Sequence, residues 1–191
     1  VDPPYGIGAG KMGLGKGGGV AKSGNYEKKD WDKSAPKLEY FLELKRVSKN
    51  QIILGGYHFL GWVGSGWVVW DKLNGDTDYA DCELAYSSFD RPVRKFSFKW
   101  MGMLQQDMKN KEDRIHPTQK PVALYKWLLH NYAKPGDKIL DTHGGSRSLA
   151  IACHQMGFDH VSCEIDLDYH NDSVKRFKEQ TMQQDLFKQA V

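Results

Sequence analysis

The sequence has no apolar run long enough to cross a membrane, and it has no recognisable signal peptide. Only three of its 191 residues are cysteines, at positions 82, 153 and 163. Their odd number and wide spacing argue against a disulfide framework and lack the paired pattern of a zinc site. We therefore expect a cytoplasmic protein that has no structural metal and does not enter a membrane.

An excess of charge of one sign is also missing. The formal net charge is +3, so the overall balance does not by itself indicate a nucleic-acid partner. The basic residues between Lys11 and Lys33 lie in a glycine-rich stretch without periodicity, and a solvated surface loop explains them as well as a binding site does. The pattern predicts a mobile Gly/Lys loop at residues 6–34 within a single domain of residues 1–191.

Hydrophobic periodicity predicts alternating helices and strands. The predicted helices cover residues 36–50, 121–133, 148–156 and 169–180. The predicted strands cover residues 51–54, 67–70, 82–86, 95–100, 138–141 and 161–164. Polar residues at 101–115 predict only a short connecting segment. The last third reads strand, glycine turn, helix, strand, helix, which is typical of a parallel α/β half that binds a nucleotide.

The glycine turn at residues 141–146 has the chemistry of a cofactor site. Gly144 and Gly145 allow the backbone to approach a ligand closely, and the amides at the start of the next helix can meet its polar groups. Glu164 ends the following strand, where a carboxylate can accept hydrogen bonds from ribose hydroxyls. These features favour a nucleoside-containing cofactor, and the alternative is an ordinary tight turn between a strand and a helix.

The tetrapeptide Asp2-Pro3-Pro4-Tyr5 combines groups that could hold an amine. A carboxylate and a backbone carbonyl can accept the two amine hydrogens and orient the nitrogen lone pair, while two prolines make the segment rigid. An aromatic ring can stack on a base that has been flipped out of a duplex. The alternative is a plain proline turn.

Three motifs in this order resemble the DNA amino-methyltransferases, with the β-class motif order and the compact size of phage and prophage members. They are the tetrapeptide at residues 2–5, the segment His116-Pro117-Thr118-Gln119-Lys120-Pro121 and the turn at 141–146. The resemblance implies an α/β, Rossmann-like methyltransferase fold with a mostly parallel sheet and helices on both faces. It also implies S-adenosyl-L-methionine as cofactor, DNA as partner and a possible homodimer.

The resemblance assigns roles to individual residues. It implies that the catalytic residues, which hold and stack the target base, are Asp2, Pro3, Pro4 and Tyr5. It implies that Thr118 and Lys120 bind the methionine carboxylate of the cofactor and that Glu164 binds its ribose. The remaining cofactor-binding residues that it implies are Asp141, Thr142, His143, Gly144, Gly145 and Ser146.

The chain departs from the family pattern in three places. Thr142 and His143 replace a Pro-Phe pair, Arg147 replaces a glycine, and no long recognition segment lies between Trp100 and His116. We expect a site-specific enzyme of a bacterial or phage-infected cell that methylates adenine N6 after base flipping, because cytosine-specific members more often have serine at the position of Asp2. The alternatives are an N4-cytosine enzyme, a catalytically weak relative that binds cofactor or DNA, and an RNA or protein N-methyltransferase.

Overall fold

The computed structural model describes residues 1–11, 27–59, 66–75, 77, 79–101 and 104–188, with side chains as far as Met182. The chain divides into two compact units, Val1–Asp113 and Arg114–Val191. The single domain expected for residues 1–191 stays a prediction. Residues 12–26 of the expected mobile loop lie outside the described residues.

The first unit is built on a four-stranded sheet. Helix α1 (Leu38–Val47) precedes the strands, which are β1 (Ile52–Leu54), β2 (Trp67–Asp71), β3 (Cys82–Ser87) and β4 (Arg94–Ser97). Their spatial order is β1-β3-β2-β4; β3 is antiparallel to both of its neighbours, and β2 and β4 are parallel. A short antiparallel ladder of β5 (Trp100–Met101) and β6 (Leu104–Gln105) follows.

The core of this unit forms where α1 meets β1 and β3. Phe41 and Leu44 are three residues apart on the buried side of α1, as the helical period requires. They pack in one cluster with Ile53, Phe59 and Tyr86. Full burial of a side chain of this size contributes about 1.5–3 kcal/mol, so this cluster holds the helix on the sheet.

The second unit alternates helices and strands. In chain order it contains α2 (Val122–Tyr132), β7 (Lys138–Asp141), α3 (Ser148–Met156), β8 (Asp159–Ser162) and α4 (Leu167–Lys188). Strands β7 and β8 are parallel, with Asp141 opposite Ser162. Helix α3 packs against both α2 and α4. Burial raises the pKa of the Cys153 thiol in α3 to about 12, so this group is a neutral part of the core.

The α/β class agrees with the expectation, but the strand pairing differs in detail. Among the described strands, β2–β4 and β7–β8 are parallel, and three pairs are antiparallel. Only residues 72–81 connect β2 to β3, which is too short for the crossover that a parallel pair needs. None of the helices in the described part of the chain is long and apolar enough to cross a membrane.

Several element boundaries also differ from the sequence prediction. Strand β4 ends at Ser97, before the predicted residue 100. Trp100 instead pairs in the β5–β6 ladder, which the hydrogen bond from the Gln106 amide to the Lys99 carbonyl at 2.8 Å extends. Strand β8 covers Asp159–Ser162 and not the predicted 161–164, so Glu164 lies two residues beyond the strand that it was expected to end. Helix α4 is longer than the predicted 169–180. Residues 101–115 contain the end of β5, all of β6 and no further regular element among those described.

Candidate functional site

The tetrapeptide begins beside the sheet of the first unit. The Val1 nitrogen donates to the Ile52 carbonyl at 2.9 Å, and the Leu54 amide donates to the Val1 carbonyl at 3.0 Å. Two such bonds are the pattern of a parallel pair, so Val1 extends the sheet next to β1. Asp2 therefore leaves the sheet at the edge where β1 ends, and carboxyl ends of strands are where α/β sheets bind ligands.

The aromatic ring of Tyr5 is held in a fixed position. It stacks on His58 with a centroid distance of 4.5 Å and an interplanar angle of 17°, and its edge meets Phe59 at 6.2 Å. Gly55 lies against the ring with a φ of +64°, and a Cβ at this position would collide with Tyr5. Gly55 thus allows both the turn after β1 and the close approach of the ring.

The hydroxyl of Tyr5 is bonded to the carboxylate of Asp2. It donates to Asp2 Oδ1 at 2.8 Å. Burial and the nearby Asp2 charge hold the pKa of Tyr5 well above its usual value, so the phenol stays protonated and remains a donor. A carboxylate has further lone pairs, so Asp2 can still accept hydrogen bonds from an amine. Pro3 is fully buried, which makes the base of the segment rigid.

The glycine turn at residues 141–146 is hydrogen-bonded to the residues that follow β8. The Gly144 amide donates to the Cys163 carbonyl at 2.6 Å, and the Gly145 amide donates to Glu164 Oε2 at 2.7 Å. Glu164 Oε1 accepts from the Asp166 amide at 2.9 Å. Each carboxylate oxygen of Glu164 therefore has one backbone donor and one further lone pair that can accept a hydroxyl.

The two glycines of the turn serve different purposes. A Cβ at Gly144 would press against Ser162 Oγ at 2.5 Å, so this position is confined by β8. At Gly145 a Cβ would meet nothing within 4 Å, so the turn is open there. His143 is held by its neighbours in the turn: its amide donates to Asp141 Oδ1 at 3.3 Å, and Thr142 Oγ1 lies 3.1 Å from its Nδ1.

Two arginines connect the turn at residues 141–146 and the start of α3 to helix α4. Arg147 has a φ of +58°, and its side chain donates to Ser173 Oγ at 3.0 Å and to His170 Nδ1 at 3.3 Å. Arg176 is buried in α4 and donates to the Ser146 carbonyl at 2.6 Å. The contacts of Arg147 with α4 offset part of the backbone strain that a side chain meets in this left-handed conformation.

The segment before α2 lies in the same unit as the turn. Thr118 Oγ1 is 3.1 Å from His116 Nδ1, and the His116 ring meets Tyr169 edge-on at 4.3 Å. Lys120 is buried at 6% exposure, and α2 begins at Val122 directly after Pro121. Lys120 thus directly precedes the N-terminus of α2, where the helix dipole favours an anion.

The structure therefore brings the predicted cofactor residues into one unit and places the tetrapeptide in the other. The turn and Glu164 are directly hydrogen-bonded, whereas Thr118 and Lys120 lie in the segment of the same unit that precedes α2. Sequence reasoning missed Arg176, because nothing in the pattern of α4 marks a contact with a residue thirty positions earlier. Over the described residues, His, Cys, Asp and Glu form no group of three or more that could hold a metal ion.

Comparisons with known proteins identify a family and similar methyltransferases. The family described as DNA methylase, which comprises N6 and N4 amino-methyltransferases, matches residues 69–175. The Type II methyltransferase M.HpaI of Haemophilus parainfluenzae is 35% identical over 60 residues, which are 31% of this chain and 19% of that protein. The putative methylase YubD of Escherichia coli K12 is 33% identical over 64 residues, which are 34% of this chain and 28% of that protein.

A solved structure extends the likeness to the fold. The crystal structure of the M1.HpyAVI–SAM complex covers 76% of this chain and 84% of its own, with a TM-score of 0.56 and 23% identity. This likeness confirms the predicted α/β, Rossmann-like methyltransferase fold. The family match covers more than half of the chain, and the chain belongs to the DNA methylase family of amino-methyltransferases. Its aligned segments span less than a third of either curated relative.

The Gly55 contact predicts that Gly55→Ala destabilises the protein by displacing Tyr5. Gly75 is a matched control, since its φ is also +64° but a Cβ there would meet nothing within 4 Å. Both variants carry the strain of a positive φ, which costs about 1–2 kcal/mol. Thermal unfolding should show a larger loss for Gly55→Ala than for Gly75→Ala. Equal losses would mean that the Tyr5 ring is not confined by Gly55.

The Arg176 contacts predict that Arg176→Met lowers the free energy of unfolding by about 1–3 kcal/mol, because it leaves the buried Ser146 carbonyl without this donor. Lys175→Met, on the exposed side of the same helix, should change it by less than about 0.5 kcal/mol. Urea unfolding compares them, and amide hydrogen exchange should quicken at residues 145–148 in Arg176→Met. Indistinguishable unfolding curves would contradict this role.

Proposed function

We propose that this protein is an S-adenosylmethionine-dependent DNA methyltransferase that methylates N6 of adenine after the base has been flipped out of the duplex. The observation that carries the proposal is the Asp2 carboxylate, which is fixed by Tyr5 at the carboxyl edge of the sheet. Membership of the DNA methylase family supports the same substrate class.

The donors and acceptors of the second unit fit the cofactor. The open side of Gly145 offers room for a ligand, and Glu164 presents lone pairs suited to two ribose hydroxyls. Ile165 is 98% exposed next to Glu164 and offers an apolar surface for a flat base. Thr118 and Lys120, just before α2, suit a carboxylate such as that of a methionine group. Bound S-adenosylmethionine would supply a methyl group that its sulfonium has already activated.

The residues of the tetrapeptide then have to orient the amine. Asp2 accepts one hydrogen of the exocyclic amine and the Pro3 carbonyl accepts the other, which directs the nitrogen lone pair towards the methyl group. Asp2 stabilises the positive charge that grows on nitrogen as the N–C bond forms and the bond between the methyl carbon and sulfur breaks, and the nitrogen then releases a proton to solvent. The Tyr5 hydrogen bond keeps Asp2 in position, and the Tyr5 ring stacks on the base.

The choice of adenine rests on the aspartate at position 2. Family members that act on cytosine N4 more often have serine there, so Asp2 favours the adenine amine. Both bases present an exocyclic NH₂ group, and the same acceptors could hold either of them. An activity assay must therefore also identify which base carries the new methyl group.

The proposal predicts that the wild type transfers labelled methyl groups from S-adenosylmethionine to duplex DNA and that Asp2→Ala lowers the rate by about 100-fold or more, as expected when one positioned electrostatic contact is lost. Asp90→Ala removes an exposed carboxylate from the same unit and should leave the rate unchanged. Mass spectrometry of the hydrolysed DNA should identify N6-methyldeoxyadenosine.

The other outcomes separate the alternatives. N4-methyldeoxycytidine would replace the adenine assignment with a cytosine one. Cofactor binding without turnover on any duplex would identify an inactive relative, and label on RNA or protein in a mixed-substrate assay would identify a different acceptor. Equal rates for Asp2→Ala and the wild type would contradict the role of the tetrapeptide.

A further inference from the structure

The first unit contains a cleft that directly follows the tetrapeptide. Its volume is about 250 Å³, and it lies between the loop after Tyr5 and the segment that returns at Lys29. It is lined by Gly6, Gly8, Lys11, Lys29, Asp30, Asp32 and Lys33. We propose that this cleft binds a phosphate group of the DNA backbone next to the flipped nucleotide, an inference that rests on the proposed function.

A buried aspartate holds the backbone that lines the cleft. Asp32 is only 2% exposed, and its two carboxylate oxygens accept the amides of Gly6 and Ala9, each at 2.8 Å. The Gly8 amide donates to the Asp32 carbonyl at 3.0 Å, and the Lys29 amide donates to the Gly10 carbonyl at 3.1 Å. These bonds join the two described parts of the predicted mobile loop, residues 6–11 and 27–34, to each other.

The charges of the cleft favour an anion. Three lysines face two aspartates, which leaves the lining with a net charge of +1. The Asp32 carboxylate is occupied by backbone amides, and Asp30 forms an ion pair with Lys11 at 2.6 Å. The Lys11 amine and Asp30 carboxylate are both about two-thirds exposed, so this pair is weak and can exchange for a phosphate contact. Lys29 and Lys33 complete the positive lining.

The position of the cleft points to the backbone of the target strand. Gly6 and Gly8 are one and three residues after Tyr5, and a residue spans at most about 3.6 Å of chain. A base held by the tetrapeptide carries its own sugar and phosphates, and this loop is within reach of them. Both glycines have a positive φ, and a Cβ at Gly8 would meet nothing within 4 Å, so the backbone leaves space for a bulky anion.

The salt dependence of DNA binding tests this inference. Fluorescence anisotropy of a labelled duplex at several chloride concentrations gives the slope of log K against log salt concentration, which falls by about 0.9 for each phosphate no longer neutralised. We expect the double variant Lys29→Ala/Lys33→Ala to lose about one unit of slope and to raise KM for DNA, with kcat and cofactor affinity unchanged. Lys28→Ala/Lys49→Ala removes the same charge from exposed positions outside the cleft and should keep the wild-type slope.

A charge-retaining variant and a free-ion titration complete the test. Lys29→Arg/Lys33→Arg should keep the wild-type slope, since it preserves both cations. Equal salt slopes for Lys29→Ala/Lys33→Ala and Lys28→Ala/Lys49→Ala would overturn the inference. If the slopes are equal and calorimetry shows that the wild type binds inorganic phosphate, the cleft is a site for a free anion and not for DNA. A wild type that binds cofactor but no duplex would overturn the proposed function and this inference together.

Discussion

The hydrogen bond from the Gly145 amide to Glu164 is the interaction on which the second unit depends. It joins the turn after β7 to the segment that follows β8, so the residues at the carboxyl ends of these two parallel strands are held side by side. A charge-assisted bond of this kind is about twice as strong as a neutral one. Arg176 of α4 donates to the Ser146 carbonyl, and Arg147 donates to Ser173 of α4, so the same turn is also bonded to this helix. The turn is therefore held in place without a ligand.

The first unit uses the same strategy of fixing polar groups in advance. Tyr5 orients the Asp2 carboxylate, His58 supports the Tyr5 ring, and Asp32 fastens the loop that follows. Methyl transfer to an amine needs little acid–base chemistry, and positioning can supply about 7–11 kcal/mol of a barrier. Rigid acceptors and a well-ordered loop are therefore what such a reaction requires from the protein.

The sequence predicted the local parts of this arrangement well. The strand-turn-helix-strand order around residues 138–164 follows from short-range hydrophobic patterns and glycine chemistry, and it matches the structure within about two residues. The contacts of Asp32 and Arg176 could not be predicted, because they join residues more than twenty positions apart through the tertiary fold. The antiparallel β3 was missed for the same reason, since strand pairing is set by neighbours and connection length.

The proposed function depends on the Glu164 carboxylate, just after β8, receiving the ribose of the cofactor. Titration calorimetry of S-adenosylmethionine into Glu164→Gln tests it most directly, because the amide loses one acceptor oxygen while keeping the shape of the side chain. Glu179→Gln, an exposed change on α4, is the control. We expect about tenfold or greater weakening of cofactor binding for Glu164→Gln alone, corresponding to the loss of a charged hydrogen bond. Wild-type affinity in Glu164→Gln would contradict it.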